Sequence, residues 1–199
     1  MFTGIINHLG KIKNKTRNYL VVESEKDFIA KLKSGDSIAI DGICLTVVFV
    51  GEDSFKIDFI PETLEKTNIK FLKKDDLVNL ELPTTPATFL SGHIVQGHID
   101  GLGQLEAVEE KENSKVLRIS MPLGLSQYIV NKGSICINGI ALTVVESGKD
   151  FFTVGIIPHT WQNTMLKNLS LGDFVNIEVD ILAKYIKKFM NKFEPEKNK

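Results

Sequence analysis

Cysteine is scarce in this chain. Of 199 residues only Cys44 and Cys136 are cysteines, and neither sits in a metal-ligand spacing such as C-x-x-C. A disulfide framework and a structural zinc site are thereby excluded, and free thiols in a reducing compartment are expected. Long apolar runs are also missing: nothing approaches the roughly 18 consecutive residues that cross a bilayer. The opening Met1-Phe2-Thr3-Gly4 lacks the basic and then apolar pattern of a secretory signal. A cytoplasmic protein without membrane contact is the expectation. A dominant charge is absent as well. A net charge of −1 at neutral pH has neither the sign nor the size to track phosphates. Nucleic acid is therefore not an expected partner, and the lysines within 11–15 and at the C-terminus read as solvated faces or tails. There is no dinucleotide-type glycine fingerprint and no clustered set of histidines and cysteines, so no redox cofactor and no metal are expected.

What is present is an ordinary globular composition. Apolar residues make up 43% and charged residues 25%, enough for a sizeable core without a covalent staple. The informative feature is an internal repeat. Residues 36–48 (DSIAIDGICLTVV) lie over 133–145 (GSICINGIALTVV), a displacement of 97 residues with nine identities in thirteen positions. The same displacement sets FIPETLEKT (59–67) over IIPHTWQNT (156–164) and DLVNLE (76–81) over DFVNIE (173–178). Near the start it shortens to 93, with Gly4-Ile5-Ile6 over Gly97-His98-Ile99 and Gly10 over Gly103, as one loop of altered length would produce. Two copies are expected at 1–93 and 94–187, with a tail over 181–199.

Within each copy the pattern is β. Segments 37–40, 45–50, 55–60 and 77–82 are short, rich in Val, Ile and Phe, and separated by Gly, Asp, Asn or Pro. Several short strands in about 95 residues suggest a sandwich or a small barrel, and closure hides the edges. The tail changes period. Ile181, Leu182, Tyr185, Ile186, Phe189, Met190 and Phe193 fall on one helical face with lysines opposite. That stripe must bury either on its own domain or against another subunit.

The opening MFTGII, the elements DGICLTV and NGIALTV, the pair FIPET and IIPHT, and the junction SGHIVQGHID together resemble the riboflavin synthase family over about residues 1–190. The resemblance implies an all-β fold: two tandem six-stranded antiparallel barrels and a C-terminal α-helix through which homotrimers form. It implies a four-carbon transfer between two molecules of 6,7-dimethyl-8-ribityllumazine, yielding riboflavin and 5-amino-6-ribitylaminouracil without an external cofactor or metal. Lumazine synthase is a further partner that it suggests. Two substrate molecules would share each active site, where the N-terminal barrel of one subunit meets the C-terminal barrel of a neighbour.

The pocket residues implied by the resemblance are, in the first barrel, Gly4, Ile5 and Ile6, then Cys44, Leu45 and Thr46, and the segment Asp58, Phe59, Ile60, Pro61, Glu62 and Thr63. In the second they are Gly97, His98 and Ile99, then Lys132, Ala141, Leu142 and Thr143, and the segment Gly155, Ile156, Ile157, Pro158, His159 and Thr160. Strand-edge peptide groups and Thr hydroxyls suit a pyrimidine edge and ribityl hydroxyls, and glycine admits a flat ring close to the backbone.

Pockets with different tasks must differ, which directs attention to Cys44 against Ala141, His98 against Ile5, Glu62 against His159 and Asp180 against Pro83. The reaction needs a proton taken from the methyl on carbon 7 of the donor and an addition at carbon 7 of the acceptor. A thiol and an imidazole suit these steps, which makes Cys44 and His98 catalytic candidates, and the resemblance implies Thr143 and Asp180 beside them. Each has a plain alternative: Cys44 as an inert core thiol, His98 as a donor to backbone, Asp180 as a helix cap. His93 and His159 read as structural or ribityl contacts. Ala141 departs from the family, which commonly has Ser there. A carrier remains the rival reading, since lumazine-carrying antenna proteins share the duplicated barrel.

Overall fold

The computed structural model describes residues 1–193. Residues 194–199, the end of the tail read from sequence, lie outside the described residues. Strands β1 (His8–Lys15), β2 (Tyr19–Glu23), β3 (Ser37–Ile40), β4 (Ile43–Val50), β5 (Ser54–Asp58) and β6 (Leu77–Glu81) close an antiparallel barrel in the order β1-β2-β5-β4-β3-β6. Strands β7 (Gly101–Lys111), β8 (Ser114–Ser120), β9 (Ser134–Ile137), β10 (Ile140–Ser147), β11 (Phe151–Ile156) and β12 (Phe174–Val179) close a second with the same connectivity. Two six-stranded barrels, as expected, form the molecule.

Alternation makes the interiors. Leu20 and Val22 of β2, Phe55 and Ile57 of β5 and Val47 of β4 point inward and are fully or almost fully buried, while their neighbours face out. The second core uses the equivalent places: Leu117, Ile119, Val144, Phe152 and Val154. Bulges fall at matching points in the two copies, between Val47 and Phe49 on β4 and between Val144 and Glu146 on β10. A bulge bends its strand and sharpens the local twist, which helps a six-stranded sheet close on itself.

The sequence reading did not include the short helices. They are α1 (Lys26–Ile29), which buries Phe28 and Ile29 in the first core, and α2 (Pro61–Lys66) and α3 (Pro158–Asn163), which bury no residue fully. Proline starts both α2 and α3, where its missing N–H costs nothing. Thr67 and Thr164 then end them identically, each hydroxyl donating to the carbonyl four residues back and accepting the N–H two residues on.

The barrels meet at the hairpin turns β3–β4 and β9–β10. Asp41-Gly42 and Asn138-Gly139 all have positive φ (45°, 77°, 46° and 80°), the two-residue turn that Asp-Gly and Asn-Gly favour. These turns abut so closely that a Cβ on Gly42 would lie 2.6 Å from the Gly139 nitrogen. A buried polar network locks them. The Asn79 amide donates to the Asn138 carbonyl (2.8 Å), and Asn176 mirrors it onto the Asp41 carbonyl (2.9 Å). Asp41 accepts from the Asn79 N–H (2.8 Å) and the Asn68 amide (2.7 Å), and Asn138 accepts from the Asn176 N–H (2.7 Å). Phe71 and Phe174 stack across the same junction with ring centroids 4.4 Å apart.

A second tie is an exchange of N-terminal segments. Phe2 and Val95 form an antiparallel bridge and pack with Ala39 and Cys136 in a small core shared by the barrels. Beyond the bridge, Ile6 enters the core of the second barrel, whereas Ile99 packs on the core of the first. Helix α4 (Ile181–Phe193) closes the chain as its period indicates. Its stripe is not buried on its own barrel: Leu182, Tyr185, Ile186, Phe189 and Met190 are each more than half exposed.

Candidate lumazine-binding faces

Each barrel presents a face built from the Leu-Thr-Val strand, the start of the following Pro-led helix, and one exchanged glycine segment. On the first barrel β4 supplies Cys44, Leu45 and Thr46, and Thr46 pairs in register with Asp58 at the end of β5. The chain continues through Phe59 and Ile60 into α2, which begins Pro61-Glu62-Thr63. Phe59 and Leu45 are buried and anchor the segment, while Thr46, Asp58, Ile60 and Glu62 are open to solvent. Glu62 is ion-paired with Lys66 one turn on (2.6 Å), which holds its carboxyl below the usual range.

The second barrel repeats this. Ala141, Leu142 and Thr143 lie on β10, and Gly155 and Ile156 end β11. Ile157 is exposed and Pro158, His159 and Thr160 open α3. Lys132 stands apart at the rim with a φ of 64°, its N–H donating to the Val144 carbonyl (2.8 Å) beside Thr143.

The glycine segments do not sit where the alignment of copies puts them. The Gly4 carbonyl accepts the Ala141 N–H (2.8 Å), so Gly4-Ile5-Ile6 completes the second face. The Gly97 carbonyl accepts the Cys44 N–H (2.9 Å), so Gly97-His98-Ile99 completes the first. The grouping expected from sequence is thus reversed for these six residues. Like residues align between copies, but each segment crosses the Phe2–Val95 bridge to the other barrel before it is used. Only glycine fits at the crossings. Gly4 and Gly97 have φ of 77° and 83°, and a Cβ would lie 2.6 Å from the Ala141 Cβ or 2.5 Å from the Cys44 Cβ.

As a result Cys44 and His98 share one face. Cys44 is half-buried and His98 exposed, whereas Cys136 is enclosed, its thiol pushed well up by burial and by the nearby Glu178 and Glu81. Around the other face gather Thr143, His93 and Asp180. The His93 N–H donates to the Thr3 carbonyl (3.2 Å), and burial lowers its imidazole while Asp180 pulls the other way. Asp180 also caps α4, its carboxylate accepting the Leu182 N–H (2.9 Å).

Two residues that sequence reasoning missed are Glu81 and Glu178. Glu81 accepts the Thr3 N–H (2.7 Å), the Thr3 hydroxyl (2.7 Å) and the Gly4 N–H (3.0 Å). Glu178 accepts the Gln96 N–H (2.7 Å) and the Gly97 N–H (2.9 Å). Burial raises both carboxyls, and these hydrogen bonds oppose it. Their signal was the Glu that closes DLVNLE and DFVNIE, an acid at the end of a buried strand in both copies. Among the described residues no group of three or more His, Cys, Asp or Glu is placed to hold a metal ion, and no helix is long and apolar enough to cross a membrane.

Comparison with known proteins bears on what such faces hold. A family model described as the lumazine binding domain matches residues 3–83 and again 96–180, one match for each barrel. The riboflavin synthase of Actinobacillus pleuropneumoniae is 41% identical over 204 aligned residues, spanning 100% of this chain and 95% of its own. The chain belongs to the riboflavin synthase family. Other relatives agree in extent: the riboflavin synthase of Mycobacterium tuberculosis is 40% identical over 96% of this chain and 98% of its own, and that of Bacillus subtilis 36% over 99% and 93%. Among solved structures, LumP complexed with riboflavin superposes with a TM-score of 0.83 at 26% identity, covering 90% of this chain and 99% of that one. The riboflavin synthase relatives thus match this chain at higher identity than LumP does.

Proposed function

We propose that the chain is a riboflavin synthase, a transferase that moves a four-carbon unit between two molecules of 6,7-dimethyl-8-ribityllumazine to give riboflavin and 5-amino-6-ribitylaminouracil. The observation that carries this reading is the pair of faces: alike in scaffold, as two identical substrates require, and unlike in reactive groups, as donor and acceptor require. The first face carries a half-buried thiol and an imidazole, the second a Thr hydroxyl with the Asp180 carboxylate and His93 close to its glycine segment. On the first face Cys44, or a water it polarises, adds at carbon 7 of the acceptor while His98 carries the proton. On the second, the Thr143 hydroxyl and Asp180 orient the donor, and the proton that leaves its methyl passes to the His98 imidazole across the ring pair. Ala141 contributes no hydroxyl where the family commonly has Ser: either a water or Thr143 substitutes for it, or turnover is lower.

Two rings held in register make a bimolecular reaction nearly unimolecular, an effect worth roughly 7–11 kcal/mol of barrier. Both faces are open in the single chain, with Thr46, His98, Thr143 and His159 exposed. Closure over the ring pair therefore comes from a neighbouring subunit. The uncovered apolar stripe of α4 is the surface for that assembly, a trimer in the cytoplasm. An association with lumazine synthase rests on the resemblance alone.

Equilibrium titration tests the reading against a carrier. Riboflavin should bind at two sites per chain with distinct affinities. One tight site per chain would favour the carrier.

A further inference from the structure

Two buried carboxylates stand behind the faces and hold their glycine segments from the inner side. Glu81 closes β6 of the first barrel and Glu178 closes β12 of the second. Each spends both oxygens on consecutive peptide N–H groups, those of Thr3 and Gly4 or of Gln96 and Gly97. Those N–H groups face inward to the carboxylate, so the carbonyls at Gly4 and Gly97 face outward, onto the strand of the other barrel. An ionised carboxylate bridging two N–H groups is a strong, directional anchor, because a charged acceptor roughly doubles a hydrogen bond.

From this geometry we infer that Glu178 and Glu81 are positioning residues acting across the barrels: Glu178 of the second barrel sets the Gly97-His98 edge of the Cys44 face, and Glu81 of the first sets the Gly4-Ile5 edge of the Ala141 face. The inference rests on the lumazine-binding reading of both faces. It adds that each face depends on a residue of the barrel it does not belong to, so damage should cross over. Replacing Glu by Gln keeps the shape but turns one acceptor into a donor that confronts a peptide N–H. The segment must then shift, and the edge it presents shifts with it.

The chain carries one reporter for each face. Cys44 is the accessible thiol, since Cys136 is only 2% exposed. Trp161, the single tryptophan, lies on α3 directly after His159 and Thr160. Riboflavin is the probe, because as product it binds without turning over. In Glu178→Gln the riboflavin concentration that half-protects Cys44 from alkylation should rise about tenfold, while the midpoint of Trp161 quenching moves less than twofold. Without ligand, Cys44 alkylation should quicken several-fold as the Gly97 carbonyl leaves its N–H. Glu81→Gln should give the reverse split.

A merely structural role predicts otherwise, with Glu178→Gln weakening the Trp161 face of its own barrel or both faces alike, and either result overturns the inference. Glu178→Asp keeps the charge but cannot span both N–H groups. It should show the same split in milder form, and it decides between the two roles if the Gln variant does not fold. If the parent protein shows neither protection nor quenching, the lumazine-binding reading itself fails and the inference falls with it.

Discussion

Replacement of Asp41 by Asn should flatten the pH dependence of stability. Asp41 is fully buried at the barrel junction with no cation among its hydrogen-bond partners. Burial lifts its carboxyl from 3.8 to about 7, against the pull of the Asn79 N–H and the Asn68 amide and with Asp76 adding to the rise. A carboxyl that ionises less readily in the folded protein stabilises the fold in full below about pH 4, and that contribution is lost as pH rises to about 7. The whole displacement corresponds to about 4 kcal/mol, of which about 3 kcal/mol falls between pH 5 and pH 8. Asn138 already occupies the equivalent turn position, so Asn is compatible with this backbone. In the variant the new amide faces the Asn68 amide, a mismatch costing about 1–3 kcal/mol at every pH. The assay is urea unfolding of both proteins at several pH values. Unfolding free energy of the variant minus that of the parent should rise by about 3 kcal/mol from pH 5 to pH 8. Glu81 and Glu178 are also raised, but they are common to both proteins and cancel in the difference. Parallel curves would show that Asp41 is not a neutral buried acid and would refute the reasoning.

The two thiols should separate cleanly. Cys44→Ser should lower turnover at least about tenfold with little change in melting temperature, while Cys136→Ser should leave turnover near the parent and cost about 1–3 kcal/mol of stability by burying a hydroxyl; equal effects on turnover would remove the special place given to Cys44. Gly42→Ala should destabilise by about 2 kcal/mol or more, since it forces a left-handed alanine and sets its Cβ 2.6 Å from the Gly139 nitrogen; calorimetry showing an unchanged transition would contradict the tight turn contact. Truncation after Asp180 should yield monomers in sedimentation, and an unchanged assembly would clear α4 of that role.

The strands were legible because each copy carries its own short Val-, Ile- and Phe-rich segments, whereas the count of six per barrel came from the family resemblance. Ser37–Ile40 was read to the residue, and the Gly, Asp and Asn that separate the segments include Asp41-Gly42, which forms the turn from β3 to β4. The exchange of Gly4 and Gly97 was not legible. A repeat tells which residues are equivalent, and contact between the copies is a separate fact that depends on the path from Phe2 to Ile6 and from Val95 to Ile99. The buried asparagine network was hidden for a related reason: Asn68 and Asn176, 108 positions apart, bond each other, and Asn79 meets the Met165 N–H and the Asn138 carbonyl 86 and 59 positions away, contacts that exist only once two closed barrels abut. Sequence periodicity identified the α4 stripe without deciding its cover. The structure shows it open on its own barrel.

The most direct test of the central claim is to incubate the purified protein with 6,7-dimethyl-8-ribityllumazine alone, without cofactor or metal, and to follow both lumazine loss and riboflavin appearance. The account predicts riboflavin forming at half the rate at which lumazine disappears. Tight lumazine binding with no riboflavin formed would contradict it and make the duplicated barrel a carrier.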